Sequence, residues 1–135
     1  MNDNLFYVTQ KALIKKDGKI LILLKKNGNV DFPGGKIQED DMSITDSLKR
    51  ETEEETGLKI KVNKPFHTWH FTLPQSHKNS GRKVFVIGYE CDYVDGDITL
   101  SNEHGEYKWV DKTNYQSLDD GTVWYNALKE YFNLH

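Results

Sequence analysis

Four glutamates lie within five positions in the stretch RETEEETGL, which covers residues 50–58 and ends a predicted helix. Carboxylate oxygens on neighbouring helical turns are the hard ligands that Mg²⁺ or Mn²⁺ requires, and such an ion can hold a polyanion beside an acidic surface. A solvated acidic turn is the alternative interpretation. The choice depends on which of the four carboxylates face the interior of the protein.

A helical wheel at about 100° per residue separates the four glutamates when Ile44 is placed at zero. Glu51 and Glu55 lie within about 20° of this apolar direction, and Glu54 lies at the edge of the same face. Glu53 lies on the opposite side. Because inward carboxylates are costly to desolvate without a positive partner, the pattern predicts a cation on this face.

Arg50 is the local partner for this acidic face. It lies four residues before Glu54, a spacing that allows a helix-surface ion pair. One guanidinium cannot neutralise three acids, and the negative end of the helix dipole adds to their repulsion. A bound divalent cation would neutralise the remaining acids, and a solvated acidic turn stays the alternative.

The elements before this helix follow from turn and strand signals. Residues 6–15 and 19–25 predict two strands that flank Asp17 and Gly18, a dipeptide suited to a tight hairpin turn. The stretch DFPGGKI follows, where Pro33 stiffens the chain and two glycines permit close backbone contacts. This turn is expected to close the acidic site.

The helix itself is predicted over residues 43–56, with Ser43 capping its first turn and Gly57 just beyond its end. Strands are predicted in KIKVNKPFHTWHFTL, RKVFVIGYECD and EYKWV, which are rich in β-branched and aromatic residues. Apolar residues at helical spacing predict an amphipathic C-terminal helix. The expected fold class is α/β.

Composition limits the functional classes. The length predicts a single domain over residues 1–135, no apolar run is long enough to span a membrane, and no secretory pattern is present. Cys91 is the sole cysteine and is expected in the core, so we expect a cytoplasmic protein. The net charge of −3 argues against polymeric nucleic acid as a partner, but it permits a small phosphorylated substrate.

The segment GGKIQEDDMSITDSLKRETEEETGL resembles the signature of the Nudix hydrolases, which cleave nucleoside diphosphates linked to another moiety. The positions that match the family pattern are Gly35, Arg50, Glu51, Glu54, Glu55, Gly57 and Leu58. The resemblance implies an α/β/α sandwich with a mixed β-sheet between helices, over nearly the whole chain.

The segment departs from the family pattern in three ways. Met42 stands where the family usually has a glutamate, and the preceding interval is one residue too long. Glu39, Asp40 or Asp41 could supply the acid, and the sequence leaves this choice open. Thr52 replaces the usual aliphatic residue, although its methyl group can still pack.

The resemblance also implies roles for the matching residues. Glu51, Glu54 and Glu55 match metal ligands, the Gly35 carbonyl matches a backbone ligand, and Arg50 is expected to orient a carboxylate. Mg²⁺, or Mn²⁺, would bridge phosphate oxygens and acidify the attacking water.

A general base and phosphate donors are the remaining requirements. The stretch SNEHGEYKWV resembles the region from which many Nudix proteins take a base, so Glu103 is the first choice and Glu106 the second. Lys25, Lys26 and Lys36 flank the PGG turn and are candidates for binding phosphates. Each of these side chains also fits an ordinary solvated position.

The aromatic and histidine residues of PFHTWHFTL have simpler explanations. His67 and His70 are three apart in a predicted strand, so they point to opposite faces and argue against a shared zinc. Phe66, Trp69 and Phe71 are expected mainly in the core, with one ring at a pocket edge able to stack on a base.

We therefore expect a Mg²⁺-dependent pyrophosphohydrolase that acts on a nucleoside diphosphate derivative or a nucleoside triphosphate derivative. An oxidised-nucleotide triphosphatase and a nucleotide-binding module with little hydrolysis are the alternatives. An RNA-processing enzyme is disfavoured because the chain lacks a basic face. The base, sugar, leaving group and oligomeric state stay open, and a homodimer is compatible with the sequence.

Overall fold

The computed structural model describes residues 3–40, 43–74, 77–78 and 80–135. Its elements in chain order are β1 (Phe6–Lys16), β2 (Lys19–Lys25), β3 (Val30–Asp31), β4 (Gly34–Lys36), α1 (Ile44–Thr56), β5 (Lys59–Thr72), β6 (Lys83–Asp95), β7 (His104–Val110), a 3₁₀ helix (Tyr115–Leu118) and α2 (Val123–Leu134). The predicted strands and both predicted helices are therefore confirmed.

The turn and cap predictions hold in detail. Asp17 and Gly18 both have positive φ, 53° and 78°, as a tight two-residue hairpin turn requires. Ser43 accepts a hydrogen bond from the backbone N–H of Asp46, and Gly57 ends α1 in the left-handed conformation. The last turn of α1, which carries the acidic cluster, is thus fixed at its end.

The strands form one mixed sheet in the order β3-β2-β1-β6-β5, with β4 also paired to β1 and β7 also paired to β2. β1 and β6 are parallel, and the other pairs are antiparallel. This topology brings the PGG turn and the start of β7 to neighbouring positions, because β4 and β7 both pair with the central hairpin.

Apolar residues of the hairpin alternate between the two faces of the sheet, as strand geometry dictates. Ile14 and Leu21 pack toward α1 with Leu48, whereas Ile22 packs toward α2 with Leu128. The sheet therefore lies between the two helices, and the predicted α/β sandwich is confirmed. Neither helix in the described ranges has the length and apolar character needed to cross a membrane.

Candidate active site

A cleft of about 510 Å³ opens where the PGG turn, the last turns of α1 and the loop before β7 meet. Its acidic wall contains Glu51, Glu55 and Glu103, and its aromatic wall contains Phe71 and Trp124. The cleft thus combines carboxylates with an aromatic surface, on elements that the mixed sheet brings together.

Glu51 lies against the diglycine turn. Its side chain is only 15% exposed, and Ser47 Oγ donates a hydrogen bond to Oε1 at 3.3 Å. A Cβ at Gly35 would come within 1.8 Å of Glu51 Oε2, so the carboxylate occupies the space that any side chain at this position would need. The inward orientation that the wheel predicts for Glu51 is confirmed.

Glu55 lies one turn further along α1 and meets the same turn. The backbone N–H of Gly34 donates to Glu55 Oε2 at 3.3 Å. Burial raises the pKa of the Glu55 carboxyl to about 7, although the positive charge of Lys11 and the Gly34 hydrogen bond oppose the shift. Burial therefore disfavours the ionised form of this carboxyl, a cost that a nearby cation would offset.

The remaining glutamates of the cluster are exposed. Glu54 pairs with Arg50 at 3.8 Å in the predicted i to i+4 arrangement, and its side chain is 66% exposed. Glu53 is exposed on the outer side of α1. The wheel therefore orients Glu51 and Glu55 inward and Glu53 outward correctly, whereas Glu54, placed at the edge of the inner face, is not among the residues that line the cleft. The catalytic and metal-binding roles of Glu54 stay predictions.

The donor set suits Mg²⁺ or Mn²⁺ only in part. Among the residues that the structure describes, no three acidic, histidine or cysteine side chains already converge on a metal position. Mg²⁺ usually takes one or two protein carboxylates and completes its shell with water and substrate phosphates. Glu51 and Glu55, which lie beside the backbone of Gly35, meet that requirement. The role of the Gly35 carbonyl as a ligand stays a prediction.

A buried charge network forms the floor of the cleft. Lys11 Nζ lies 3.2 Å from Asp31 Oδ1 and donates to the Phe32 carbonyl at 3.0 Å. Burial alone would raise the pKa of Asp31, but Lys11, a hydrogen bond from His104, the charge of Lys25 and the Phe32 N–H hold it well below its usual range. Because Asp31 is ionised and can only accept, His104 Nε2 donates to Asp31 Oδ2 at 2.8 Å.

Sequence reasoning did not find this network. A lysine next to the apolar run Ala12–Ile14, on the same strand, is the signal that could have indicated a buried partner. A buried lysine requires a counter-charge, and Asp31 beside the PGG turn supplies it.

The two candidates for the general base separate clearly. Glu103 lines the cleft, whereas Glu106 lies on β7 opposite Leu24 and is not part of the lining. Both side chains are exposed. The structure therefore brings Glu103 to the site, and its role as base stays a prediction.

The three candidate lysines separate as well. Lys25 and Lys36 line the cleft, and Lys26 is exposed outside the lining. Lys25 Nζ lies 5.2 Å from the centre of the Trp124 ring, and Lys36 Nζ lies 4.6 Å from that of Tyr7. Lys25 and Lys36 can reach a ligand in the cleft from the end of β2 and from β4.

The aromatic wall contains one predicted ring and one that was missed. Phe71 lines the cleft, in line with the prediction of a ring at a pocket edge, and Trp69 is buried behind it. Trp124 of α2, which the sequence did not single out as a site residue, also lines the cleft and packs edge-on against both rings at 5.5 Å. Each wall therefore comes from elements far apart in sequence.

The two histidines of β5 contact different aromatic rings. His67 stacks beside Phe66 and Trp69, while the His70 ring contacts Phe6. Their partners differ, as their predicted opposite orientation requires.

The candidates for the missing acid remain untested. Glu39 and Asp40 are exposed, and Asp41 and Met42 lie outside the described residues. Thr52 is fully buried, so it packs in the core at its unusual position.

Comparisons with known proteins agree with this architecture. A family model described as the NUDIX domain matches residues 10–131. An ADP-ribose pyrophosphatase of Methanocaldococcus jannaschii is 27% identical over 117 residues, which cover 82% of this chain and 65% of the relative. A MutT-like protein of Streptomyces ambofaciens is 26% identical over 100 residues, which cover 73% of this chain and 59% of the relative. The chain thus spans about three fifths of the length of these two relatives.

A solved structure matches over a larger share of both chains. The MutT protein of Methanosarcina mazei Go1 has a TM-score of 0.79 to this chain at 27% identity, and the match covers 98% of this chain and 96% of that protein. The arrangement of sheet and helices is therefore shared with this protein over nearly its full length.

Proposed function

The chain belongs to the Nudix family, whose model matches residues 10–131, and we propose that it is a pyrophosphohydrolase dependent on Mg²⁺ or Mn²⁺. The observation that carries the proposal is the convergence of Glu51 and Glu55 on the diglycine turn, inside a cleft that also contains lysines and aromatic rings. Its substrate is a nucleoside diphosphate linked to another moiety, or a nucleoside triphosphate derivative.

Nudix hydrolases generally use divalent metal ions. In this proposal Glu51 and Glu55 hold the ion beside Gly35, and Glu54 joins them from the edge of the same helix face. When bound there, the ion would supply Lewis acidity toward the phosphate oxygens and would lower the pKa of a bound water. Arg50, which lies 3.8 Å from carboxylate oxygens of both Glu51 and Glu54, orients these ligands.

The other residues of the cleft bind and orient the substrate. Lys25 and Lys36 reach the phosphates, and Trp124 with Phe71 forms the surface on which a base stacks. Glu103 accepts the proton of the water that attacks phosphorus, while the bridging P–O bond breaks and the leaving phosphate departs with its electron pair.

The proposal draws on the names of similar proteins only for its substrate range. The M. jannaschii relative is called an ADP-ribose pyrophosphatase, which supports a nucleoside diphosphate with a second moiety. Oxidised nucleoside triphosphates, the alternative that the sequence leaves open, stay the second candidate substrate class. Met42, in the place of the usual glutamate, motivates the third candidate, a nucleotide-binding module with little hydrolysis.

A substrate panel with both products identified by mass tests the proposal. ADP-ribose, other nucleoside diphosphate sugars, ordinary nucleoside triphosphates and an 8-oxo-purine triphosphate are incubated with the protein and Mg²⁺ in ¹⁸O-labelled water. We expect cleavage between two phosphorus atoms, with ¹⁸O in one phosphate product. Binding of several panel members with no turnover would instead support the module.

Three variants of the same helix sharpen this test. Glu54→Gln and Glu55→Gln should abolish most of the turnover, whereas Glu53→Gln changes an equally acidic but outward-facing residue and should leave it within about twofold. Equal loss in all three variants would contradict the assignment of the inner face.

A single domain over residues 1–135, a cytoplasmic location and the oligomeric state stay predictions.

A further inference from the structure

The loop between β6 and β7 carries Glu103 and is attached to the end of α1. The backbone N–H of Thr99 donates to the Thr56 carbonyl at 2.9 Å, and that of Ser101 donates to the Glu55 carbonyl at 3.0 Å. The last carbonyls of a helix have no partner within the helix, so these two bonds satisfy them. They also fix the upstream side of the loop directly to the backbone of Glu55.

His104 attaches the downstream side of the same loop. It is buried, whereas residues 102–103 before it and 105–108 after it are all exposed. Its ring donates to Asp31, which Lys11 and the backbone N–H of Phe32 hold in place from the other side. A hydrogen bond to an ionised carboxylate is short and directional, so it fixes the ring and the backbone that carries it.

Glu103 lies between these two attachments, two residues after Ser101 and immediately before His104. The side chain itself is exposed at the cleft, so the loop backbone determines where its carboxylate can reach. Gly105 follows His104 and adds no side chain that packs. Among residues 102–105, the imidazole of His104 is therefore the side chain that is buried and bonded beneath the cleft.

We propose that His104 is a positioning residue, which acts through its bond to Asp31 and Lys11 to hold Glu103 over the carboxylates of α1. This inference rests on the proposed function, because Glu103 matters only if it accepts the proton of the attacking water. His104 itself does not contact the reacting atoms in this role. A buried histidine that only stabilises β7 is the competing explanation.

Steady-state kinetics of His104→Phe and His104→Gln separate the two explanations. Phenylalanine keeps the ring volume but removes the donor to Asp31, and glutamine restores a donor of similar reach. We expect kcat to fall about 10- to 100-fold in His104→Phe with KM within about twofold, since a displacement near 1 Å has effects of this size. Glutamine should recover part of the loss.

A double-mutant cycle tests whether His104 acts through Glu103. In the Glu103→Gln background the base is already lost, so adding His104→Phe should lower kcat by less than about twofold. The same fold loss in both backgrounds would overturn the proposal. Val110→Ala removes a buried side chain from the other end of β7, and it should leave kcat within about twofold; an equal loss there would favour the purely structural explanation.

Two measurements do not depend on turnover. Amide hydrogen exchange should accelerate at residues 101–104 in His104→Phe and stay near the wild-type rate there in Val110→Ala. Mn²⁺ affinity, measured by electron paramagnetic resonance, should be unchanged in His104→Phe, because Glu51 and Glu55 are intact. If the wild type is inactive but exchange at residues 101–104 is accelerated in His104→Phe, the proposed function is refuted and the attachment is kept. Unchanged exchange in His104→Phe would refute the attachment.

Discussion

Glu55 is expected to destabilise the metal-free protein at neutral and alkaline pH. Its carboxyl is half-buried beside Gly34, and burial raises its pKa to about 7 despite the charge of Lys11. Glutamine at this position has nearly the same shape, and its amide oxygen can still accept from the Gly34 N–H. Glu55→Gln therefore removes a poorly solvated negative charge with little change in packing.

The sign and size of the effect follow from the two pKa values. A carboxyl whose pKa is raised from 4.5 to about 7 binds its proton more tightly in the folded state than in the unfolded state. The stabilisation that this proton contributes is therefore fully present below pH 4.5 and is lost as the pH rises through 7. At 1.36 kcal/mol per pH unit the full penalty is about 3 kcal/mol, and solvent screening of a half-buried group reduces it to about 2 kcal/mol. For a chain of this length that corresponds to a change in Tm of about 7 °C.

Thermal unfolding of the EDTA-treated protein at pH 5 and pH 8 measures the effect. We expect Glu55→Gln to exceed the wild type by about 7 °C at pH 8 and to approach it at pH 5. The other charged groups near this carboxyl, Lys11, Asp31 and His104, are present in both proteins, so the difference between the two isolates residue 55.

A control and a reversal complete this test. Glu53→Gln, on the exposed side of α1, should change Tm by less than about 2 °C at either pH. Saturating Mg²⁺ should raise the Tm of the wild type more than that of Glu55→Gln, because a ligand stabilises only a state that it binds. A Glu55→Gln protein that is no more stable than the wild type at pH 8 would refute the reasoning.

Three further outcomes are expected. Gly35→Ala should weaken Mn²⁺ binding about 10- to 100-fold in a titration followed by electron paramagnetic resonance, because the new Cβ displaces the Glu51 carboxylate; an unchanged affinity would contradict this contact. Lys11→Met should lower the free energy of unfolding in urea by about 3–5 kcal/mol because it leaves the Asp31 carboxylate buried without the ammonium that lies against it, and Asp31→Leu in the same chain should restore much of it. Trp124→Leu should raise KM about tenfold and leave kcat within about twofold in steady-state assays, whereas a fall in kcat alone would place Trp124 outside substrate binding.

The sequence predicts the acidic half of the site because that half is local. Helical periodicity alone orients Glu51 and Glu55 inward and Glu53 outward, and the turn glycines lie a short distance upstream on the same stretch of chain. The hairpin is equally local, since Asp17 and Gly18 provide the two positive φ angles that its turn requires.

The rest of the site depends on contacts between distant parts of the chain. Asp31 lies 20 positions from Lys11 and 73 from His104, and no periodicity links such residues. The pairing of β2 with β7 also shifts register between Leu24 and Lys25. A pattern of alternation cannot locate such a shift before the strands are paired.

The end of α1 shows how a helix can carry acids where its own dipole opposes them. The last carbonyls of a helix repel nearby carboxylates unless they are occupied by donors. Here the N–H groups of Thr99 and Ser101 occupy the carbonyls of Thr56 and Glu55, and the Gly34 N–H reaches the Glu55 side chain. The same loop that reduces this repulsion carries Glu103, so the electrostatics of the acidic face and the position of the proposed base depend on one set of backbone contacts.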